Sequence, residues 1–211
     1  MLQFDAVKKY YGSSLALDIP ILRINRGIYW LKGENGSGKT TFLKMTGGLH
    51  PFDGDIFLSG NSIKKNRLAY LQKVNYAEAE PLYPDFLNAR DLVRMYCHTR
   101  KADEKEAITL LEQLHMIDFY TKPLGAYSSG MLKKLSLALA FIGRPEWILL
   151  DEPLITVDTD AIAIICGLIN ASYTEKEISF IITSHQPFRA GSLAVTQTMQ
   201  ADHQTILLCN E

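Results

Sequence analysis

Residues 33–41 have the composition of a phosphate-binding loop. The stretch Gly33-Glu-Asn-Gly-Ser-Gly38-Lys39-Thr40 fits the pattern G-x-x-x-x-G-K-[ST] at every position. Its glycines let the backbone curl so that successive N–H groups point at phosphate oxygens, while Lys39 can reach the β- and γ-phosphates and the Thr40 hydroxyl can hold Mg²⁺. The expected contact residues are Gly33, Glu34, Asn35, Gly36, Ser37, Gly38, Lys39, Thr40 and Thr41.

The alternative for this stretch is an ordinary glycine-rich turn followed by a chance Lys-Thr pair. The motif carries weight only between a strand and a helix. A β-rich run at 27–31 precedes it, and the sequence Phe42-Leu-Lys-Met after it favours a helix. Because the first turn of such a helix attracts anions, this context favours the phosphate site over the turn.

Two adjacent acids could complete a hydrolysis site. Asp151 and Glu152 follow the apolar run at 147–150, at the carboxyl end of a predicted buried strand, which is where open α/β sheets bind ligands. Asp151 is the candidate for the Mg²⁺ coordination shell, and Glu152 is the candidate base that polarises the attacking water. A pair of acids that only caps the next loop is the alternative, and it is less favoured beside a phosphate-binding loop.

His185 is a third candidate for the same edge of the sheet. It follows the apolar run at 178–183. A neutral imidazole there could hydrogen-bond the γ-phosphate and hold the water and Glu152 in place. A lone histidine at a strand end is more often structural, but its order after the other motifs favours the catalytic role. The predicted catalytic residues are therefore Lys39, Glu152 and His185.

The elements that must position these residues alternate between strand and helix patterns. Predicted strands lie at 2–7, 15–19, 27–31, 55–58, 147–150 and 178–183, with a terminal hairpin from 194–199 and 204–209. Predicted helices lie at 88–99, 103–114 and 128–142, where Leu132, Leu135, Leu139 and Ile142 form one apolar stripe. The unbroken apolar runs suit strands of a mainly parallel sheet, joined by a crossover helix that buries Ile162, Ile165 and Ile169.

Length and composition bound the class of protein. A chain of 211 residues with 47% hydrophobic residues suits one compact domain with a small inserted subdomain. Its 22 basic and 23 acidic residues leave no excess positive charge for nucleic acid, so no nucleic-acid partner is expected. Three cysteines without a C-x-x-C pair favour reduced thiols. The start lacks the pattern of a secretory signal, and the apolar stretches are shorter than the roughly 20 residues of a membrane helix.

The order of these motifs resembles the ABC ATPase family. The stretch Tyr127-Ser128-Ser129-Gly130-Met131 lies just before the Asp151 strand and opens the leucine-striped helix. By itself it is a helix cap and turn, but in this position it resembles the ABC signature motif L-S-G-G-Q, with Ser128 and Gly130 as the matching residues. The resemblance covers nearly the whole chain. Tyr127, Ser129 and Met131 depart from the usual Leu, Gly and Gln.

The resemblance implies further nucleotide contacts. Tyr11 is similar to the aromatic residue that stacks on adenine, with its neighbour Tyr10 as the alternative. Asp158, in Thr156-Val157-Asp158, is similar to the D-loop aspartate. Gln72 follows Ala69-Tyr70-Leu71 and is the candidate for the Q-loop glutamine that senses Mg²⁺, although the family register favours a position nearer Lys73.

The resemblance also implies a fold and a domain organisation. The expected fold is α/β: a P-loop NTPase core with a mainly parallel sheet, an N-terminal antiparallel β portion and an inserted α-helical subdomain. Residues 1–211 form a single ABC ATPase domain, with the nucleotide-binding core at about 1–74 and 144–211 and the helical subdomain with the signature motif at about 75–143.

The implied activity is ATP binding and hydrolysis with Mg²⁺. In a head-to-tail pair of cassettes, one chain supplies Lys39 and Glu152 while the other supplies Ser128 and Gly130. The implied partners are a second cassette, identical or related, and a separate membrane-spanning transporter subunit. That subunit would contact the aromatic residues Tyr76, Tyr83, Phe86 and Tyr96, which core packing explains about as well.

Several alternatives within the family stay open. The expected location is cytoplasmic, at the inner face of the cell membrane through the partner. The signature with basic Lys133 and Lys134 is more similar to exporter cassettes than to importers. A soluble ABC ATPase of a cytoplasmic assembly complex is one alternative, and a nucleotide sensor that barely hydrolyses is another.

Overall fold

The computed structural model describes residues 1–184, 188 and 191–209. The strands are β1 (Leu2–Tyr11), β2 (Ser14–Ile24), β3 (Ile28–Lys32), β4 (Asp53–Leu58), β5 (Asn61–Ser62), β6 (Val74–Ala77), β7 (Trp147–Leu150), β8 (Ser179–Thr183), β9 (Gln197–Asp202) and β10 (Thr205–Leu208). The α-helices are α1 (Lys39–Thr46), α2 (Arg67–Leu71), α3 (Ala89–Arg100), α4 (Glu104–Gln113), α5 (Ser129–Ala140) and α6 (Thr159–Glu175). Short 3₁₀ turns at Ile117–Phe119 and Leu124–Ala126 connect α4 to α5.

The first sheet is antiparallel and has the order β2-β1-β4-β5. Strand β1 pairs with β2 through a tight turn, and with β4 from Leu2 opposite Leu58 to Lys8 opposite Asp53. Alternate residues of β1, including Leu2 and Phe4, are buried on one face. This alternation is the period of a strand with one face on a core, so the predicted N-terminal antiparallel portion is confirmed.

The second sheet has six strands in the order β10-β9-β3-β8-β7-β6. All neighbouring pairs from β9 to β6 are parallel, and only the terminal hairpin of β9 and β10 is antiparallel. Strands β7 and β8 are buried along their whole length. Because parallel strands end at the same edge, β3, β6, β7 and β8 deliver their following residues to one side of the molecule.

Two hydrophobic cores lie on the two faces of this parallel sheet. Leu149 of β7 and Ile181 of β8 belong to the core shared with the antiparallel sheet and α1. Their neighbours Leu150 and Ile182 belong to the core shared with α3, α4, α5 and α6. Since adjacent residues of a strand point to opposite faces, an unbroken apolar run is needed wherever both faces are covered.

The helices between β6 and β7 carry local signals that explain their bounds. Asn88 caps α3 by accepting from the Asp91 N–H, and the Asp91 side chain accepts from the Asn88 N–H in return. Asp103 caps α4 and Ser128 caps α5 in the same way, each through its side-chain oxygen. The predicted helices agree with α3, α4 and α5 to within two residues at each end.

The helical region shows two features that the sequence did not predict. Strand β6 adds Val74–Ala77 to the parallel sheet beside β7, ahead of the inserted helices. Helix α5 buries Leu137, Ala138 and Ala140 as well as Leu135 and Leu139 of the predicted stripe, because β6 and the neighbouring helices surround its C-terminal half. The division into a core and a helical subdomain stays a prediction.

The predicted fold class is confirmed: an α/β core with a mainly parallel sheet, an antiparallel β portion and inserted helices. Within the described ranges, no helix is both long and apolar enough to span a bilayer. The residues that carry the chemistry lie at the carboxyl edge of the parallel sheet.

Candidate nucleotide site

The loop at 33–38 leaves β3 and turns directly into α1. Gly33, Gly36 and Gly38 have φ values of 150°, 80° and 98°. Residues other than glycine rarely adopt these values. A Cβ at Gly33 would also lie 2.5 Å from Ser37 Oγ and 2.6 Å from the Ala201 carbonyl oxygen. Backbone conformation therefore favours glycine at all three positions, and the close approach of β9 also requires it at Gly33.

Lys39 holds this loop in its curled shape. Its Nζ donates to the carbonyl oxygens of Gly33 at 2.7 Å and Glu34 at 2.9 Å, and the residue is only 7% exposed. Burial lowers the pKa of Lys39, while the charges of Glu152 and Asp151 act in the opposite direction. The ammonium group thus lies among the loop carbonyls and close to the two acids, where a phosphate would bind.

Asp151 and Glu152 follow β7 and are both buried. The Asp151 carboxylate accepts from Thr183 Oγ1 at 2.7 Å on Oδ1 and from the Tyr76 hydroxyl at 3.2 Å on Oδ2. The Thr183 hydroxyl also accepts from the Glu152 N–H at 2.8 Å. Glu152 has a left-handed backbone, with φ of 46°, which is uncommon for a residue with a side chain and is held here by that bond to β8.

Lys133 of α5 contacts the same strand end from the other side. Its Nζ donates to the carbonyl oxygens of Asp151 at 2.7 Å, Glu78 at 2.6 Å and Ala79 at 3.1 Å. The residue is 1% exposed, and burial lowers the pKa of Lys133 to about 8 against the opposing charge of the nearby acids. One buried ammonium group therefore joins α5, β7 and the segment after β6.

A cavity of about 650 Å³ opens beside the loop. Its size is within the range of small-molecule sites. Predicted site residues in its lining are Tyr11, Asn35, Gly36, Ser37, Gly38, Lys39, Thr40, Thr41 and Glu152. Residues that sequence analysis did not predict also line it: Ser14, Leu15, Ala16, Ala79, Glu80, Ile155 and Gln204.

The donor set at this cavity fits a nucleoside triphosphate with Mg²⁺. The curled loop and Lys39 suit phosphate oxygens, and the Thr40 hydroxyl on the cavity wall is a hard oxygen ligand of the kind that Mg²⁺ prefers. Asp151 offers a carboxylate of the same kind and directly precedes Glu152, but it does not itself line the cavity. The Ser37 hydroxyl lies on the cavity wall and is buried, with no hydrogen-bond partner among the described residues. A buried polar group of this kind is the signature of a missing partner.

Tyr11 is one of the residues that line the cavity, and its stacking on adenine stays a prediction. Its hydroxyl is 3.2 Å from Thr41 Oγ1 and 3.0 Å from His50 Nδ1, so the ring is tied to α1 and to the segment after it. Tyr10 does not line the cavity. The geometry therefore favours Tyr11 over Tyr10 as the aromatic surface beside a bound base.

The structure does not bring Gln72 to this cavity, which overturns its assignment to Mg²⁺. Gln72 is exposed and ends α2, before the amino end of β6. The four residues of β6 separate it from the phosphate edge by about 13 Å at the usual rise of a strand. Ala79 and Glu80, which follow the carboxyl end of β6, occupy the cavity wall instead.

Ser128, Gly130 and Asp158 form a separate surface outside the cavity lining. Ser128 caps α5, and a Cβ at Gly130 would lie 2.6 Å from the Thr156 carbonyl oxygen. Asp158 caps α6 through the Ala161 N–H and accepts from Lys134 Nζ at 2.5 Å. The hydrogen bond from Lys134 is the main reason that the pKa of Asp158 is lowered.

The sequence did not predict Thr183, Tyr76 or Lys133 at the nucleotide site, since Tyr76 was expected at a partner surface and Lys133 was considered only with the signature. Thr183 had a usable signal, because it is a polar residue at the carboxyl end of an apolar strand beside β7. Nothing in the pattern of α5 indicates that Lys133 points inward and finds three carbonyl oxygens. The predicted role of His185 stays a prediction, since that residue lies outside the described ranges.

Comparisons with known proteins agree with this geometry. A family model described as ABC transporter matches residues 22–155. The chain is 33% identical over 196 residues to human ATP-binding cassette sub-family A member 2, which covers 88% of this chain and 8% of that protein. It is 32% identical over 180 residues to the bacitracin transport ATP-binding protein BcrA of Bacillus licheniformis, which covers 84% of this chain and 59% of that protein.

A solved structure shows the same fold. It is described as a dimeric ATP-binding cassette in a post-hydrolysis state bound to ADP and Pi. The TM-score is 0.82 at 16% identity, and the match covers all of both chains. At this identity the likeness establishes the fold, while the curated relatives are longer proteins of which this chain spans only a part.

Proposed function

The chain belongs to the ABC transporter family, and we propose that it binds ATP with Mg²⁺ and hydrolyses the ATP to ADP and phosphate to power a transporter. The observation that supports this most directly is the joining of Lys39, Thr40 and Glu152 in one cavity of nucleotide size. The family was expected from the order of motifs, and the matching family model confirms it.

Binding begins at the loop of residues 33–38. Curled backbone N–H groups, the α1 N-terminus and Lys39 neutralise phosphate charge, while Tyr11 offers a ring face to the base. Bound Mg²⁺ would draw charge from the β- and γ-phosphate oxygens, with Thr40 and Asp151 as its protein ligands. Lys39 would exchange its bonds to the Gly33 and Glu34 carbonyls for phosphate oxygens.

Hydrolysis is assigned to Glu152. Its side chain lines the cavity, and its backbone is held by Thr183 on the neighbouring strand. A carboxylate in this position can accept a proton from a water that attacks the γ-phosphate. Asp151 is fixed by Tyr76 and Thr183 and so holds its place during the reaction.

A second cassette would complete the site. Ser128 and Gly130 do not line the cavity of their own chain, and Ser128 is exposed at the start of α5. A helix N-terminus on the surface is suited to the phosphate of a partner chain. The dimeric cassette with the same fold supports this arrangement. Tyr127, which departs from the signature, is buried and donates to the Phe119 carbonyl oxygen at 2.6 Å, so this change serves packing.

A groove of about 280 Å³ is the proposed contact for a membrane-spanning subunit. Tyr76, Tyr83 and Tyr96 line it, together with Leu82, which is 89% exposed. Phe86 follows on the same segment and is 81% exposed. Exposed apolar side chains around a groove are typical of an interaction surface. Such a partner would hold the chain at the cytoplasmic face of the membrane, and relatives named as transport ATP-binding proteins support it.

The test of hydrolysis is a comparison of wild type with Glu152→Gln. The amide keeps the shape of the side chain but cannot accept the proton, so turnover is expected to fall about 10²- to 10⁴-fold while ATP binding is kept. Phosphate release and the binding of a fluorescent ATP analogue would be measured with Mg²⁺. Wild type that binds ATP without releasing phosphate would replace this proposal with the nucleotide-sensor function.

The transporter assignment is tested by the partner groove. Leu82→Ser and Phe86→Ser change only exposed side chains, so the protein should fold and hydrolyse ATP as wild type does. Co-purification of the tagged protein from detergent-solubilised cells should recover a polytopic membrane chain with wild type and lose it with the double variant. Recovery of soluble partners alone would favour the assembly ATPase.

A further inference from the structure

The end of β7 is held by two side chains that sequence analysis did not connect with the site. The Tyr76 hydroxyl donates to Asp151 Oδ2, and Lys133 Nζ donates to the carbonyl oxygen of the same residue. One of these bonds acts on the carboxylate and the other acts on the backbone that carries it. Together they restrict the position of Asp151.

Lys133 is built into the fold as a charged donor. An ammonium group has three N–H donors, and here the three acceptors are the carbonyls of Glu78, Ala79 and Asp151. Burying an ammonium group is costly unless it is fully hydrogen-bonded. A leucine or methionine would fill this space in α5 without that cost, so packing alone does not account for a lysine.

Tyr76 makes its contact through the hydroxyl alone. The residue lies on β6 and lines the groove, while its hydroxyl reaches Asp151, the residue that follows β7. A carboxylate can only accept, so the Tyr76 hydroxyl is the donor of this bond. The hydroxyl therefore orients the carboxylate oxygen that it contacts.

We infer that Tyr76 and Lys133 are positioning residues, which hold Asp151 in the orientation needed to bind Mg²⁺ with the nucleotide. The inference rests on the proposed function. Tyr76 and Lys133 do not line the nucleotide cavity, and both contact Asp151, which directly precedes the cavity residue Glu152. Their loss should reduce the amount by which Mg²⁺ tightens ATP binding, and it should lower turnover. The binding of metal-free ATP by the loop and Lys39 should continue.

The experiment compares Tyr76→Phe and Lys133→Met with wild type. Two quantities are measured: kcat with its KM for ATP, and the ratio of the ATP dissociation constants in EDTA and in excess Mg²⁺. Loss of one hydrogen bond from the uncharged Tyr76 hydroxyl should lower kcat about 2- to 10-fold in Tyr76→Phe, and loss of a charged donor should lower it about 10- to 100-fold in Lys133→Met. The KM for ATP should change by less than about threefold. The dissociation constant in EDTA divided by that in Mg²⁺ should be smaller in both variants than in wild type.

Tyr70→Phe is the matched control for loss of a buried tyrosine hydroxyl. Tyr70 is fully buried, and its hydroxyl donates to the Thr46 carbonyl oxygen at 2.8 Å, away from Asp151. This variant should lose thermal stability comparably to Tyr76→Phe without a change in the Mg²⁺ ratio. If Tyr70→Phe changed the Mg²⁺ ratio as much as Tyr76→Phe does, general destabilisation would explain both changes and the inference would be overturned.

The outcomes separate this inference from the proposed function. If wild type does not hydrolyse ATP, the proposed hydrolysis fails, but the Mg²⁺ ratio still tests Tyr76 and Lys133. If Lys133→Met does not fold, Tyr76→Phe decides alone, because it removes a single oxygen. A folded Tyr76→Phe whose kcat and ratio both stay within twofold of wild type overturns the positioning role.

Discussion

Lys39, which lines the cavity, and Asp151, which directly precedes the cavity residue Glu152, are held in place by different kinds of contact. Lys39 donates to carbonyl groups six and five residues away along the chain. Asp151 contacts Tyr76, Lys133 and Thr183, which are 75, 18 and 32 residues away. The contacts that hold Lys39 in the phosphate loop are therefore local, while the position of Asp151 at the carboxyl end of β7 depends on contacts from α5, β6 and β8 together.

This difference predicts how each region responds to substitution. A change in the phosphate loop should remove a chemical contact and leave the rest of the protein intact. A change around Asp151 should lower activity and the free energy of unfolding together, because the same bonds position the site and join elements of the fold. Four substitutions test the contrast.

The largest effect on binding is expected for Lys39→Met. The variant loses the charge that faces the phosphates, so ATP affinity should fall at least about 100-fold. Its free energy of unfolding should change by about 1 kcal/mol or less, because the freed Gly33 and Glu34 carbonyls lie beside an open cavity. Titration with a fluorescent ATP analogue and urea unfolding would measure both. A large loss of stability would contradict the local nature of the loop.

Thr183→Val should affect both properties. Valine keeps the shape of threonine but leaves the Glu152 N–H without its acceptor and Asp151 Oδ1 without its donor. The free energy of unfolding should fall by about 2 kcal/mol and kcat by about tenfold. Thr183→Ser keeps the hydroxyl and is the control, which should retain most of the activity. Equal behaviour of the valine and serine variants would exclude the hydroxyl as the cause.

Gly130→Ala tests the contact between α5 and the segment that follows Glu152. The added Cβ would lie 2.6 Å from the Thr156 carbonyl oxygen, so the variant should lose about 1 to 2 kcal/mol of stability. Gly167→Ala is the control within α6, where a Cβ meets nothing within 4 Å. Because alanine favours a helix, the control should be slightly more stable than wild type. Thermal unfolding of both proteins measures the difference.

The smallest effect is expected at the amino end of β7. Burial raises the pKa of Glu146, but hydrogen bonds from Lys73 and Ser59 and the charge of Lys73 outweigh it, so the pKa lies below its ordinary value. A lowered carboxyl pKa stabilises the fold at pH values above the ordinary pKa, and this gain is lost as the pH falls through the lowered pKa. Glu146→Gln should therefore cost about 0.5 kcal/mol at pH 7, since the pair is partly exposed.

Measurement of Glu146→Gln across the acid range would check the sign. The stability difference from wild type should shrink as the pH falls below about 4. ATP turnover should stay within twofold of wild type, because this end of the strand is away from the cavity. A tenfold loss of turnover would show that the two ends of β7 are coupled, which would contradict the expectation that only contacts around Asp151 affect activity and stability together.

Much of the fold could be predicted from sequence because its signals are local. The alternating pattern of β1 shows that one face of the strand is buried, and the unbroken apolar runs of β7 and β8 show that both faces are. The capping residues of α3, α4 and α5 mark where each helix begins. Gln72 was assigned wrongly because its position along the chain does not reveal the edge of the sheet on which it lies. The direction of β6 decides that, and it depends on pairing with β7, about 70 residues later.

The sequence by itself determined the phosphate loop and the family. Glycine positions, Lys39 and Thr40 define that loop because the bonds from Lys39 that hold its curled shape reach only five and six residues along the chain. The close approach of Ala201 to Gly33 is the contribution of the tertiary structure. Only the tertiary structure decided which residues hold Asp151, since Tyr76, Lys133 and Thr183 meet it from three elements distant in the chain. These residues come together only when the chain folds, so no fixed spacing along the sequence could have predicted the cluster.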